Sequence, residues 1–230
     1  MMNVQHLFIQ ILLLLSAVTT PVIAELEKSV PKSGSIEAFL QRYPDAIGLI
    51  AIQDGKLDTS HWDHFKATVK DGQFRVPKGD PRTKAEFGDF QLAIEFRLGP
   101  GANSGIFLRA PKEGKGRDSN CELQILDNTA KEYADLKLSQ YHGSAYGLIA
   151  AKRGALKPVG EWNYQEVTVR GHRIVVELNG VTILDGDLSE LDATKYLKSH
   201  PGLLRTRGRI ALGGHAKGVY YRSMYLAPLD

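Results

Sequence analysis

The residues with the most chemical content lie together on one short segment, Cys121-Glu122-Leu123-Gln124-Ile125-Leu126-Asp127-Asn128. On an extended chain, alternation places Leu123 and Ile125 on one face and Glu122 and Gln124 on the other. A carboxylate and an amide side by side, ending at Asp127-Asn128, form a platform that can move a proton and hold hydroxyl groups. Asp127 joins the face of Glu122 only where a bulge rotates the strand. An ordinary strand with a solvated face shows the same residues, so the neighbouring segments must decide.

Upstream, Gly99-Pro100-Gly101-Ala102-Asn103-Ser104-Gly105 leads into Ile106-Phe107-Leu108-Arg109. The glycine-rich stretch has no Lys-Ser/Thr ending and no following helix, so it reads as a sandwich turn and not as a phosphate loop. Arg109, at the end of its strand, has the fork of donors needed to hold a hydroxyl, a keto oxygen or a carboxylate. His142, close to Tyr146, falls in a loop expected to overhang the same face, and His215 sits in Gly213-Gly214-His215-Ala216-Lys217-Gly218. Either imidazole can shuttle protons or ligate a divalent cation, and either can equally be a surface-loop histidine. No H-x-x-x-H or H-E-x-x-H pair occurs, so a cation site would have to be assembled from distant segments. His61, His64, His172 and His200 read as surface residues. Lys157 and Glu161, which precede Trp162, are expected on the rim of the cleft. Trp162 itself reads as a core anchor, with a ring-stacking platform as the alternative. Cys121 has no basic neighbour to lower its pKa and reads as a packed strand residue.

The elements that must position these residues are almost all β. Phe90 to Leu98 has apolar residues at every even position, the period of a strand with one buried face. Shorter runs follow at Gly105–Arg109, Cys121–Leu126, Val167–Val169, Arg173–Leu178, Val181–Leu184, Arg209–Leu212 and Val219–Leu226. Asn179-Gly180 between two apolar runs marks a type I′ hairpin, because both residues tolerate positive φ. Helical spacing is confined to SIEAFLQRYP near the start and to Leu188–Leu197 within an excursion from Leu188 to Arg207. Many short strands with Gly/Asn/Asp turns predict an all-β sandwich of two antiparallel sheets.

Residues 1–24 are expected to be a signal peptide. Leu7 to Ala24 is apolar, with Val22 and Ala24 at the −3 and −1 positions of a cut before Glu25. Gln10, the Ser/Thr cluster and Pro21 shorten the run below the ~20 residues of a membrane span, so the mature chain is expected without one. Residues 25–44 read as an N-terminal extension and 45–230 as one domain with its own core. A net charge of +3, with basic residues dispersed among acidic ones, argues against nucleic acid as a partner. One cysteine cannot form an internal disulfide, which suits a bacterial periplasm or outer surface, and a periplasmic or secreted location is expected.

The spacing E-x-Q-x-x-D from Glu122 to Asp127 is similar to the E-x-D-x-x-E strand of jelly-roll glucanases, but an amide replaces the middle carboxylate. Retaining hydrolysis uses two carboxyl groups about 5 Å apart, so Gln124 argues against an ordinary retaining glycosidase. The wider series GDFQLAIEFRLGPGANSGIFLRAP, CELQILDN, GSAYGLIA, KPVGEWN, LNG and GRIALGGH resembles the 3-keto-disaccharide hydrolase domain family in order and spacing, over Leu49 to Leu226. Departures are Cys121 in place of an aromatic, Ser223 in place of an Asn, a loose match over HWDHFKATVKDGQF, and a longer segment before Gly208.

The resemblance implies a concanavalin-like jelly-roll and action on glycosides already oxidised at C3, by hydrolysis or by elimination across C1–C2. A ketone at C3 acidifies the C2 proton, so a base, an acid and an enolate stabiliser suffice. On that reading Glu122 is the base or a cation-facing carboxylate, Arg109 the oxyanion clamp, Asp127 a second acid/base and His215 a proton shuttle. Asn103, Gln124, Asn128, His142, Tyr146, Lys157 and Glu161 would bind substrate. No cofactor is firmly implied beyond a divalent cation. A non-catalytic carbohydrate-binding module and a structural surface module are the alternatives.

Overall fold

The computed structural model describes residues 34–76, 79–214 and 217–230. The expected leader, the first part of the 25–44 extension, and His215 lie outside the described residues.

A helix α1 (Ile36–Arg42) comes first, started by Ser35, whose Oγ accepts from the Ala38 N–H at 3.2 Å. The strands follow: β1 (Ile47–Ile50), β2 (Ile52–Gln53), β3 (Lys56–Leu57), β4 (Trp62–Asp63), β5 (Arg82–Thr83), β6 (Phe90–Ala110), β7 (Cys121–Leu126), β8 (Trp162–Arg170), β9 (Arg173–Leu178), β10 (Val181–Asp187), β11 (Arg209–Leu212) and β12 (Lys217–Pro228). A short helix α2 (Ala193–Tyr196) interrupts the excursion between β10 and β11. Among the described residues no helix is long and apolar enough to cross a membrane.

The architecture is an all-β jelly-roll sandwich built around β6. Its first half, from Phe90 to Arg97, pairs with β8 on one side and β12 on the other, and β9, β10 and β1 extend this layer. Its second half pairs with β7 and β11, and β5 and β4 extend the other layer. Every pairing is antiparallel. Even-numbered residues of both halves, Leu92, Ile94, Phe96, Leu98, Ile106 and Leu108, enter one core with Leu123, Ile125, Val167, Val169, Leu212 and Tyr221. Each large apolar side chain buried there contributes roughly 1.5–3 kcal/mol.

One expectation is corrected. Gly99–Gly105 is not a turn between strands but the middle of β6, where the strand bends from one layer to the other. Gly101 (φ +66°) makes the bend, and Gly99 lies so close to Gly218 that a Cβ would meet the Gly218 carbonyl oxygen at 3.2 Å. The Asn179-Gly180 hairpin forms as read, with φ values of 52° and 84° and Leu178 paired with Val181. Helix α1 lies on the outside of the first layer, where Phe39 packs on Ala93, Tyr164 and Ala227. Its Arg42 ion-pairs with Glu166, Nη2 donating to both carboxylate oxygens at 2.5 and 2.6 Å. Trp162 is on that outer face too, partly exposed, with the Arg222 guanidinium 4.4 Å from its ring centroid, so it is not the core anchor expected. Trp62 fills that role, fully packed and donating from Nε1 to the Leu49 carbonyl at 2.5 Å.

Candidate functional site

Strand register sets the site. Glu122 pairs with Phe107, Phe107 with Ala211, Ala211 with Arg82 and Arg82 with Asp63. Paired residues project from the same face of a sheet, so a row of side chains from β7 to β4 faces away from the core. The edge of β7 is continued by residues 143–146. Gln124 donates to Ser144 O, Gly143 to Gln124 O and Tyr146 to Glu122 O, at 2.8–3.0 Å, which places Tyr146 beside Glu122 at the end of the row.

Glu122 lies across Gly105. A Cβ at Gly105 would stand 2.1 Å from Glu122 Oε1 and 2.7 Å from its Cγ, so the glycine is required by space and not by backbone angle. No side chain among the described residues donates to this carboxylate. Burial, reinforced by the Asp80 charge, raises its pKa from 4.5 to about 7. Asp80 stands two residues before Arg82 and accepts from the Gly214 N–H at 3.1 Å. Glu122, Tyr146, Ser199 and His200 line a hollow of about 270 Å³ with Cys121, Gly116 and Ser119. Cys121 forms its inner wall as expected of a packed residue, its thiol pushed up to about 12 by burial. A second hollow of about 430 Å³, lined by Asp63, His64, Asp80, Arg82, Lys112, Glu113 and Arg209, occupies the other end of the same face. Arg209 is buried there, ion-paired to Asp63, and its Nε has no partner among the described residues.

Gln124 shares the face of Glu122 and is tied into the site. Its Nε2 donates to Gln140 O at 3.4 Å, while Oε1 is buried without a partner among the described residues. Gln140 in turn donates from Nε2 to the Tyr146 hydroxyl at 2.7 Å, which leaves the Tyr146 O–H free to donate into the hollow. Asn103, two residues before Gly105 on the same strand face, is partly exposed and pairs with Leu126 and Lys217.

Other expected site residues are placed elsewhere. Arg109 has φ +49°, which turns its fully buried side chain away from Glu122. The guanidinium donates to Gly88 O at 2.9 Å, Gly171 O at 2.6 Å and Asp89 Oδ1 at 3.0 Å, so it fastens three segments and clamps no ligand. Asp127 is a turn staple. It accepts from Gly101 N at 2.9 Å, Thr129 N at 2.9 Å and Thr129 Oγ1 at 2.6 Å; burial alone would raise its pKa, but these bonds outweigh it and hold the carboxyl low. His142 does not overhang the face but plugs the end of the sandwich. Nδ1 accepts from Leu126 N–H at 3.3 Å, Nε2 meets Gln165 Oε1 at 3.2 Å, and burial drops the pKa to about 4, so the ring is neutral. Asn128 accepts from the His142 N–H at 3.0 Å and anchors that loop. Lys157 and Glu161 are exposed on the approach to β8, and the Lys157 charge acts on Glu95 of the first layer, so they rim a different face.

Spacing missed Asp80, Arg82, Arg209, Ser199 and His200. The row of paired strands gathers the first three, and packing of the excursion brings the last two. Among the described residues no group of three or more His, Cys, Asp or Glu converges as a cation site. Among the described residues Glu122 and Asp80 supply a pair of carboxylates, short of a three-ligand set.

Known proteins resemble this chain in sequence and fold. A relative from Bacteroides thetaiotaomicron, named 3-keto-disaccharide hydrolase, is 28% identical over 257 aligned positions, covering 89% of this chain and 88% of its own. A Parabacteroides distasonis protein provisionally named a glycosyl hydrolase superposes with a TM-score of 0.67 at 24% identity, over 80% of this chain and 100% of that one. A second from the same organism gives 0.58 at 26% identity, over 80% and 84%. The family model for the 3-keto-alpha-glucoside-1,2-lyase-like domain matches residues 48–227, from β1 to β12 and through the whole Glu122 face, and the chain belongs to that family.

Proposed function

We propose that the protein is an exported enzyme that cleaves the glycosidic bond of 3-keto-glycosides, with Glu122 as the base that removes the C2 proton. The observation that carries this reading is the Glu122 carboxylate itself, without a side-chain donor among the described residues, held near neutral pKa and laid over the bare backbone of Gly105. A base tuned to about 7 is matched to proton abstraction at neutral pH. Support also comes from the family and from the relative's name, 3-keto-disaccharide hydrolase. The substrate ring lies in the hollow beside Glu122, and the Tyr146 O–H stabilises the enolate oxygen or a hydroxyl, a preorganised donor in a partly dry site. The second hollow, with Arg82 and Arg209, holds the other half of the substrate. Only one carboxylate acts on carbon, so an amide at position 124 is compatible with the reaction. The apolar run Leu7 to Ala24 supports export.

The test is aglycone release from a 3-keto-glucoside and from the same glycoside unoxidised. Release from the keto form alone is expected. Turnover of the unoxidised sugar alone overturns the reading in favour of an ordinary glycosidase, and turnover of neither leaves a carbohydrate-binding role.

A further inference from the structure

The excursion between β10 and β11 carries an imidazole to the Glu122 hollow, and its attachment is specific. Asp192 caps α2 by accepting from Thr194 N at 3.0 Å, and the chain then turns back, with His200 N donating to Tyr196 O at 2.8 Å. Just beyond, Gly202 presses on the residues that precede β7. A Cβ there would stand 2.1 Å from Asp118 O and 2.4 Å from Ser119 O, so no side chain fits. Leu203 is fully buried in the core, and Asn120 Nδ2 donates to its carbonyl at 2.5 Å. His200 is therefore held two residues from a contact that fixes the excursion on the start of the Glu122 strand.

The ring is oriented as well as placed. Ser199 Oγ donates to Tyr196 O at 3.1 Å and stands 3.0 Å from His200 Nδ1. With the hydroxyl proton committed to the carbonyl, Nδ1 carries a hydrogen and donates to Ser199 Oγ. The exchangeable position is then Nε2. That edge of the ring lies beside Gly147, the residue after Tyr146, where a Cβ would meet Cε1 at 3.5 Å and Nε2 at 3.6 Å. His200, Tyr146 and Glu122 line the same hollow.

We propose that His200 is the proton donor to the departing aglycone oxygen, acting across the hollow from Glu122. This rests on the keto-glycoside reading above. The Glu122 carboxylate takes the C2 proton, and the C2–H electron pair passes into the enolate of the C3 ketone. That pair then forms the C1=C2 bond as the C1–O bond breaks. The bond pair leaves on the aglycone oxygen, which takes the Nε2 proton of the His200 imidazolium and leaves the neutral ring with its hydrogen on Nδ1. Water adding to C1 reverses the transfers: it gives a proton to His200 and Glu122 returns its own to C2, which resets both groups and makes the net reaction hydrolysis. Departure of the unsaturated sugar before water adds makes it elimination.

Leaving-group dependence tests this. Wild type and His200→Gln are compared on 4-nitrophenyl 3-keto-glucoside, whose aglycone leaves as a stable anion, and on methyl 3-keto-glucoside, whose aglycone must be protonated. Loss of a general acid costs roughly 10²–10⁴-fold, expected for the methyl glycoside only, with the nitrophenyl rate kept within a few-fold. The retained nitrophenyl rate also shows that the variant is folded. Equal losses on both substrates, or none on either, overturn the role of His200 while the keto-glycoside reading stands. A wild type that releases neither aglycone overturns that reading and this proposal with it.

Discussion

Replacing Glu122 by Gln should stabilise the protein at neutral pH while ending turnover. In the fold the Glu122 carboxyl titrates at about 7, against 4.5 in an unstructured chain, because burial and the Asp80 charge disfavour the anion. Between those two values the folded protein keeps a proton that the unfolded chain has released, so the folded state binds more protons and stability falls as pH rises. The loss is complete above about 7 and absent below about 4.5. The gap between 4.5 and about 7, at about 1.4 kcal/mol per pH unit, amounts to about 3 kcal/mol as an upper figure. The amide of the Glu122→Gln variant keeps the shape without the charge and escapes this loss. Thermal unfolding of the two proteins should therefore differ little at pH 5 and by up to about 6–12 °C at pH 8, given roughly 2–4 °C per kcal/mol for a domain of this size. A Glu122→Gln protein that is no more stable than wild type at pH 8, or whose advantage is the same at both pH values, refutes the account of this carboxylate.

Three further outcomes follow from the geometry. Gly105→Ala places a methyl group where Glu122 Oε1 lies; the carboxylate must swing aside, so kcat should fall by at least 10-fold with thermal stability changed by under about 1.5 kcal/mol, measured by steady-state kinetics and calorimetry. Arg109→Leu strips Gly88 O and Gly171 O of their side-chain donor and leaves Asp89 Oδ1 with the Gly171 N–H alone; it should cost about 3–5 kcal/mol in urea denaturation, while the rate per folded molecule stays near wild type; a selective loss of kcat would return Arg109 to the site. Asp127→Asn weakens the staple on Gly101 and Thr129. Its low carboxyl pKa contributes stability that is present above the unfolded value near 4 and lost as pH falls through the folded one, so the variant should be destabilised by about 1–2 kcal/mol at pH 7 and should match wild type in strong acid.

Much of this was legible in residue order. Alternation from Phe90 to Leu98 gave the face of the first layer, and alternation from Cys121 gave Glu122 and Gln124 their common direction. The continuity of β6 was hidden because Gly99, Pro100 and Gly101 are turn residues by composition, and only the partner Gly218 shows that the bend lies within a strand. Arg109 misled for a related reason. Its parity matches Phe107, which faces with Glu122, but one positive φ reverses where the side chain goes. Asp63, Arg82 and Arg209 come from three segments and meet only through pairing register. His200 has no local motif, since the contact that places it, Gly202 on Asp118 and Ser119, joins residues about eighty positions apart.

The most direct test of the central claim follows the hydrogen on C2. A 3-keto-glucoside carrying deuterium at C2 is turned over in ordinary water, with an enzyme-free sample to correct for background exchange, and the sugar product is examined by mass spectrometry. Abstraction by Glu122 predicts slower aglycone release from the deuterated substrate than from the unlabelled one, and loss of the label wherever the unsaturated sugar leaves or the carboxyl exchanges before the proton is returned. Equal rates for the two substrates together with full retention of the deuterium would contradict it.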